Sequence, residues 1–263
     1  MKNILVPTDF SNTADKALKY AIKLAICFDA ELHLLNSYDV PHSGATMIIN
    51  IDNLLEKDSN TNLELCKNEI ASKFPDLKVT VHSKSGPADD SVIRFLNTKK
   101  IDLVVMGTTG ASGIKGKIFG STTSGLIKNI KTPLLVIPNQ ADLDDPCRIG
   151  ISTDLKFKLD DEIYNPAREI ALTFGSKVSF FNVNDLYKNE QLEAIEKEFG
   201  TEIDFIYGTD IEEGINEYLI DSNINLLVLV SEKHNLMHKI FKPSVTKTMA
   251  KNLNIPMLIL SQK

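Results

Sequence analysis

The sequence predicts an α/β chain made of two tandem copies of one unit, each a five-stranded parallel sheet with helices on both faces. Three observations carry this. The chain repeats itself in order, strand-sized apolar runs alternate with amphipathic helical stretches, and a polar, acidic segment ending in proline divides the copies.

The repeat is seen by placing Ile4-Leu5-Val6-Pro7-Thr8-Asp9 over Ile149-Gly150-Ile151-Ser152-Thr153-Asp154. Further along, Asp15 meets Asp161, Ala21 meets Ala167, Ala25 meets Ala171 and Phe28 meets Phe174. The run Leu32–Asn36 then meets Val178–Asn182, Ile101–Val105 meets Ile224–Val228, and Lys117–Phe119 meets Lys239–Phe241. Both copies end alike, Thr132–Ile137 against Ile255–Leu260. Two unrelated α/β stretches share composition but not ordered matches at a nearly constant offset. Between the copies lies Asn139–Pro146, polar and acidic, as domain boundaries tend to be. The expected domains are 1–139 and 146–263.

In the first copy the runs Ile4–Val6, Leu32–Leu35, Leu77–Val81, Ile101–Met106 and Leu134–Ile137 are short, apolar and bounded by turn residues, which predicts buried strands. Ala17, Ala21, Leu24, Ala25 and Phe28 recur at spacings of three and four, and Ile163, Ala167, Ile170, Ala171 and Phe174 match them in the second copy. That is one apolar stripe on an amphipathic helix. Strands alternating with helices predict parallel pairing through right-handed crossovers. The polar stretch 41–59 predicts a loop leading into a helix over about Leu54–Phe74.

Composition excludes several classes. The chain has 263 residues, 43% hydrophobic, enough for two cores. Its net charge of −6 argues against nucleic acid or an anionic membrane as partner. Cys27, Cys66 and Cys147 form no CxxC pair, which argues against a zinc site or disulfide framework. The apolar runs are strand-sized, so no membrane span or signal segment is expected, and the expected location is the cytoplasm.

The sharpest local feature follows the fourth strand of the first copy. Val104-Val105-Met106-Gly107-Thr108-Thr109-Gly110 ends a strand, and Gly120-Ser121-Thr122 opens the next helix, with Leu126, Ile127 and Ile130 as its apolar positions. Ligands of open parallel sheets bind beyond the carboxyl ends of the strands. A helix N-terminus presents free N–H groups and partial positive charge, which suits phosphate. Glycine lets backbone approach a phosphate and permits positive φ, and the Ser121 and Thr122 hydroxyls can add hydrogen bonds. Two common signatures are absent. A GxxxxGK[ST] loop needs Ser or Thr after Gly116-Lys117, where Ile118 stands, and residue 111 is Ala. A GxGxxG turn would follow the first strand, where Pro7-Thr8-Asp9-Phe10-Ser11 stands instead.

Gly107, Gly110, Gly120 and Ser121 fit Gly-x2-Gly-x9-Gly-Ser, which resembles the ATP-binding motif of the universal stress protein family. The opening Ile4–Ser11 and the stretch Asp102–Thr108 are also similar to that family, and the resemblance covers both copies. It implies two tandem Rossmann-like domains of the adenine nucleotide alpha hydrolase type, with ATP as ligand; whether Mg2+ accompanies the ATP stays open. By that resemblance Asp9 would contact the ribose or adenine side, and the backbone around Pro7 and Ser37 would border the adenine. The family usually carries an aliphatic residue where Ser37 stands. Gly107, Thr109, Gly110, Gly120, Ser121 and Thr122 would surround the phosphates, and Met106 is counted among the ATP-binding residues.

Other residues read more plainly. Asp9 also suits a helix-capping turn. Lys115 and Lys117 can meet phosphates but fit a solvated loop better. His234 and His238 stand at i, i+4 without a glutamate between them or a third ligand, so a metal site is not expected. Asp89-Asp90 and Glu212-Glu213 read as solvated helix starts. The second copy has Val230, Lys233 and Pro243 or Lys242 where the first has Gly107, Gly110 and Gly120. Glu232 there would repel phosphate, and Ser244 is its remaining hydroxyl. Its nucleotide loop is therefore read as degenerate.

Three functions follow: a nucleotide-binding stress-response regulator, a slow ATPase, or a scaffold that acts by association. No catalytic residue is assigned, because no general base, arginine finger or acidic magnesium cluster accompanies the loop. Asp9 is a candidate magnesium partner, which leaves slow hydrolysis open. The end strands Leu134–Ile137 and Met257–Leu260 are apolar, and long apolar edges are normally covered, so the two repeats are expected to pair through them. A further homodimer stays open.

Overall fold

The computed structural model describes residues 1–39, 48–108, 119–153, 161–183, 202–206, 211–231 and 254–261. The chain divides into two compact units, the first ending at Asn139 and the second beginning at Gln140.

The first unit runs β1 (Asn3–Pro7), α1 (Asn12–Phe28), β2 (Glu31–Tyr38), α2 (Ile48–Lys73), β3 (Val79–Ser85), α3 (Ala88–Thr98), β4 (Leu103–Gly107), α4 (Ser121–Asn129) and β5 (Leu134–Ile137). Its strands lie in the order β3-β2-β1-β4-β5, all parallel. The order reverses direction at β1, so the crevice between β1 and β4 is the switch point where such sheets take ligands. Ile4, Leu5, Val6, Leu103, Val104 and Val105 are buried there, which explains why these strands read as continuous apolar runs.

Successive residues of a strand point to opposite faces, and two neighbours in β3 show which helices cover which. His82 stacks on Phe95 of α3 with ring centroids 4.5 Å apart. Ser83 donates its hydroxyl hydrogen to Ser59 of α2 at 2.7 Å. So α3 covers one face and α2 the other. Ser11 opens α1 by accepting the Ala14 N–H, and Asp29 closes it in the left-handed conformation, φ 48°. Helix α1 then buries Ala17, Ala21, Leu24 and Ala25, the stripe expected from spacing.

The second unit runs β6 (Arg148–Ser152), a short 3-10 turn at Glu162–Tyr164, α5 (Asn165–Phe174), β7 (Lys177–Val183), β8 (Ile203–Ile206), α6 (Ile211–Asp221), β9 (Leu226–Ser231) and β10 (Met257–Ser261). Its strands lie in the order β8-β7-β6-β9-β10, again parallel. The first helix of this unit has 10 residues against 17 in α1, because Pro166 lacks an N–H and is tolerated only in a first turn. Phe180 meets Tyr164 edge-on at 5.6 Å while the adjacent Phe181 meets Tyr218 of α6 at 4.9 Å, so both faces of this sheet are covered too.

The two units share their internal wiring. Ile4 pairs with Leu32 and Leu103 as Ile149 pairs with Val178 and Leu226. Thr8 N–H donates to Leu35 O at 2.9 Å as Thr153 N–H donates to Phe181 O at 2.9 Å. Ala30 N–H bonds Ala25 O, and Ser176 N–H bonds Ala171 O, in both cases after a left-handed helix cap.

Three sequence expectations shift. Helix α2 begins at Ile48, inside the stretch expected to be loop. β3 spans Val79–Ser85 rather than Leu77–Val81, because its second half, His82-Ser83-Lys84-Ser85, carries no aliphatic side chain to mark it, as an edge strand can. Asp89 and Asp90 do stand in the first turn of α3, but only Asp90 is solvated. Asp89 packs on α4, where its Oδ2 lies 2.6 Å from the position a Cβ on Gly125 would take. Among the described residues no helix is long and apolar enough to cross a membrane.

Candidate functional site

Parallel strands put all their carboxyl ends on one edge. Pro7 ends β1, Ser37 is the penultimate residue of β2, and Met106 and Gly107 end β4. The fold therefore brings Pro7, Asp9, Ser37, Met106, Gly107 and, through α4, Gly120, Ser121 and Thr122 to the same edge. Thr109 and Gly110 lie outside the described residues, as do Lys115, Lys117, Asp154, Glu232, Lys233, His234, His238, Lys242, Pro243 and Ser244.

The turn after β1 is wound by its own side chains. Phe10 N–H donates to Thr8 Oγ1 at 3.0 Å, and Ser11 N–H donates to Asp9 Oδ1 at 3.1 Å. Between these bonds Phe10 adopts φ 60°, a left-handed conformation that a bulky side chain resists. The capping role open to Asp9 in the sequence falls instead to Ser11, whose Oγ accepts from Ala14 N–H at 3.3 Å. Asp9 itself stays exposed on the edge.

The two ends of the connection from β4 to α4 are tied together. Gly120 N–H donates to Thr108 O at 2.7 Å, and Thr108 N–H donates to Ile137 O at 3.1 Å. Thr123, buried in the first turn of α4, donates its hydroxyl hydrogen to Gly107 O at 3.0 Å. The N-terminus of α4 is thus fixed directly above the end of β4. Thr123 was not among the residues expected from sequence; its signal was a threonine two positions past Ser121, where a buried hydroxyl must find an acceptor.

The glycines act by closeness. Gly107 leaves room for α1: a Cβ there would lie 2.5 Å from Thr13 Cγ2 and 3.1 Å from Thr13 O. Gly120 has φ −62° and ψ 170°, extended backbone open to any residue. The positive φ anticipated for glycine in this motif is found at neither.

The donor set fits a phosphate group. Gly120 is the N-cap of α4 and makes no side-chain cap, and no acidic residue stands in the first turn. The first N–H groups of a helix have no acceptor within it, and its partial positive charge favours an anion. By contrast α1 carries Asp15 and α3 carries Asp89 and Asp90 in their first turns. The exposed Ser121 hydroxyl and half-buried Thr122 add neutral donors at the same end.

Comparison with known proteins agrees with this layout. The family model described as universal stress protein family matches residues 1–138. A universal stress protein of Methanocaldococcus jannaschii is 33% identical over 142 residues, covering 52% of this chain and 81% of its own. The crystal structure of a universal stress protein from Archaeoglobus fulgidus superposes with TM-score 0.74 at 18% identity, covering 99% of this chain and 98% of that one, and shows the fold of the whole chain. A universal stress protein solved in complex with cAMP is 20% identical over 52% of this chain and 96% of its own, with TM-score 0.38. With the family model spanning more than half its length, this chain belongs to the universal stress protein family.

Proposed function

We propose that this chain is a cytoplasmic, ATP-binding regulator of the stress response that holds its nucleotide in the N-terminal unit. The observation that carries the proposal is the glycine-capped N-terminus of α4, free of acidic residues and pinned over the end of β4 at the sheet's switch point. There Gly107, Thr109, Gly110, Gly120, Ser121 and Thr122 would surround the phosphates, with Met106 beside them. Asp9 and the backbone of Pro7 and Ser37 would take the ribose and adenine. ATP supplies a polyanion for the helix end and a base for the groove beside β1, and Mg2+ would accompany the phosphates. The domains in this reading are 1–139, which binds nucleotide, and 146–263, whose loop is degenerate.

Slow ATP hydrolysis is the second reading, and it rests on Asp9, an exposed carboxylate on the same edge. We also propose, from sequence alone, that the apolar end strands of the two repeats pair with each other. A scaffold role would need neither ligand nor hydrolysis. Calorimetry of nucleotide-free protein with ATP, followed by a phosphate-release assay, separates the three. Saturable binding with no release is the expected result, and no heat of binding at millimolar ATP overturns the proposal.

A further inference from the structure

Asn36 lies near the end of β2 within a run of buried residues, only 8% exposed. A buried amide is costly unless it is hydrogen-bonded. Its Nδ2 donates to Thr8 O at 2.7 Å, across 28 positions of sequence. The acceptor is a carbonyl, so the side-chain atom facing it must be the NH2 group. That carbonyl belongs to the peptide unit joining Thr8 to Asp9. It opens the turn in which Phe10 is held at φ 60° and Asp9 Oδ1 accepts from Ser11 N–H.

We infer that Asn36 is the positioning residue of the crevice: it fixes the Thr8–Asp9 peptide plane and so aims the Asp9 carboxylate at the ligand. This rests on the nucleotide reading above. Turns in sparsely populated conformations persist where the surroundings over-determine them. Here the local bonds to Thr8 Oγ1 and Asp9 Oδ1 wind the turn, and the Asn36 amide fastens it to the neighbouring strand. The second unit supplies an internal control. Asn182, 5% exposed, donates to Thr153 O at 2.6 Å in the same way, in the unit whose nucleotide loop is degenerate.

The test is a double-mutant cycle on the full chain with ATP as probe. Asn36→Ala should weaken ATP binding about tenfold, within the range for a lost hydrogen bond to a polar group. Asp9→Ala should weaken it comparably or more. The double variant should bind within about twofold of Asp9→Ala alone, since the amide acts through the carboxylate. Asn182→Ala should leave affinity unchanged. Asn36→His, whose Nδ1–H can donate from a similar place, should retain binding within about threefold and covers the case in which Asn36→Ala does not fold. Hydrogen exchange at the Phe10 and Ser11 amides should quicken in Asn36→Ala, at unchanged exchange in the core strands. Additive losses in the cycle, equal losses from Asn182→Ala, or unchanged exchange at those amides would overturn the inference. Absence of ATP binding by the wild-type chain would defeat the nucleotide reading instead, and the exchange measurement would still decide whether Asn36 holds the turn.

Discussion

His82 Nε2 faces His33 Nδ1 at 3.4 Å, and both rings lie against Phe95. His33 Nε2 in turn reaches Asn3 Oδ1 at 3.3 Å. Both contacts are satisfied when each ring is neutral and carries its proton on Nε2. Glu31, held below the usual carboxylate range by the Thr80 hydroxyl, lies 3.7 Å from His33 Nδ1 and favours protonation there, but burial outweighs it.

This pair makes the first unit sensitive to acid. Burial and the Lys99 charge push His33 down, and burial with the charges of His33, Lys99 and Lys84 pushes His82 from 6.5 to about 4. A lowered histidine pKa means the unfolded chain holds more protons between about pH 6.5 and about pH 4, so stability is full above that window and falls as pH falls through it. At about 1.4 kcal/mol per unit of displacement, the His82 shift sets a ceiling on the order of 3 kcal/mol, which solvent screening of this half-buried ring lowers. Urea unfolding from about pH 7.5 to about pH 4.5 should show this loss. His82→Phe keeps an aromatic ring beside Phe95 and should flatten the profile; an unchanged slope in that variant would place the acid sensitivity elsewhere.

Gly107 should prove a packing residue as well as a loop residue. Its missing Cβ accommodates Thr13, with Cγ2 at 2.5 Å from the Cβ position. Gly107→Ala should destabilise by about 1–3 kcal/mol, the usual range for overpacking. Thr13→Ser removes the offending methyl and keeps the hydroxyl, so it should recover part of that loss. Independent, additive effects in denaturant titrations would show that the two do not meet.

Much of the architecture was legible in the sequence, because a duplicated pattern tests itself. The matches of Ile4 with Ile149, Leu32 with Val178 and Leu103 with Leu226 became equivalent strand registers. The start of α2 was not legible: Ile51 and Leu54 of its first turns are exposed, so the apolar residues there do not mark a buried face. At the crevice, glycine spacing pointed to the edge where β4 meets α4. It could not reveal that Gly107 makes room for Thr13, since that contact joins residues 94 positions apart, nor that Thr123 and Asn36 bind backbone carbonyls. A signal for Asn36 did exist: asparagine follows the apolar part of the second strand at the same place in both copies, as Asn36 and Asn182.

ATP should stabilise the native chain through its first unit. A ligand at one hundred times its dissociation constant adds about 2.7 kcal/mol to the folded state. For a chain of this size that is a rise of several degrees in Tm. GTP should give little shift if the groove beside β1 reads adenine. The measurement is a thermal melt of nucleotide-free protein with each nucleotide, and equal shifts from both would remove base selectivity from the proposal.

The asymmetry between the units gives the most discriminating prediction. Gly120→Val should abolish ATP binding. Its backbone, at φ −62°, accepts any residue, so the effect must come from a branched side chain standing where phosphate approaches the N-terminus of α4. Asp9→Ala should weaken binding by about 1–3 kcal/mol, the cost of one hydrogen bond to a polar group. The corresponding changes in the second unit, Asp154→Ala and Ser244→Ala, should leave affinity unchanged, because that unit carries Val230 where the first carries Gly107 at the end of the fourth strand. Val230 is itself buried, 5% exposed, where it pairs with Leu260 of β10. Calorimetry should then give one nucleotide per chain. Two equivalent sites, or a loss of binding on changing Ser244, would show that the second unit holds nucleotide as well.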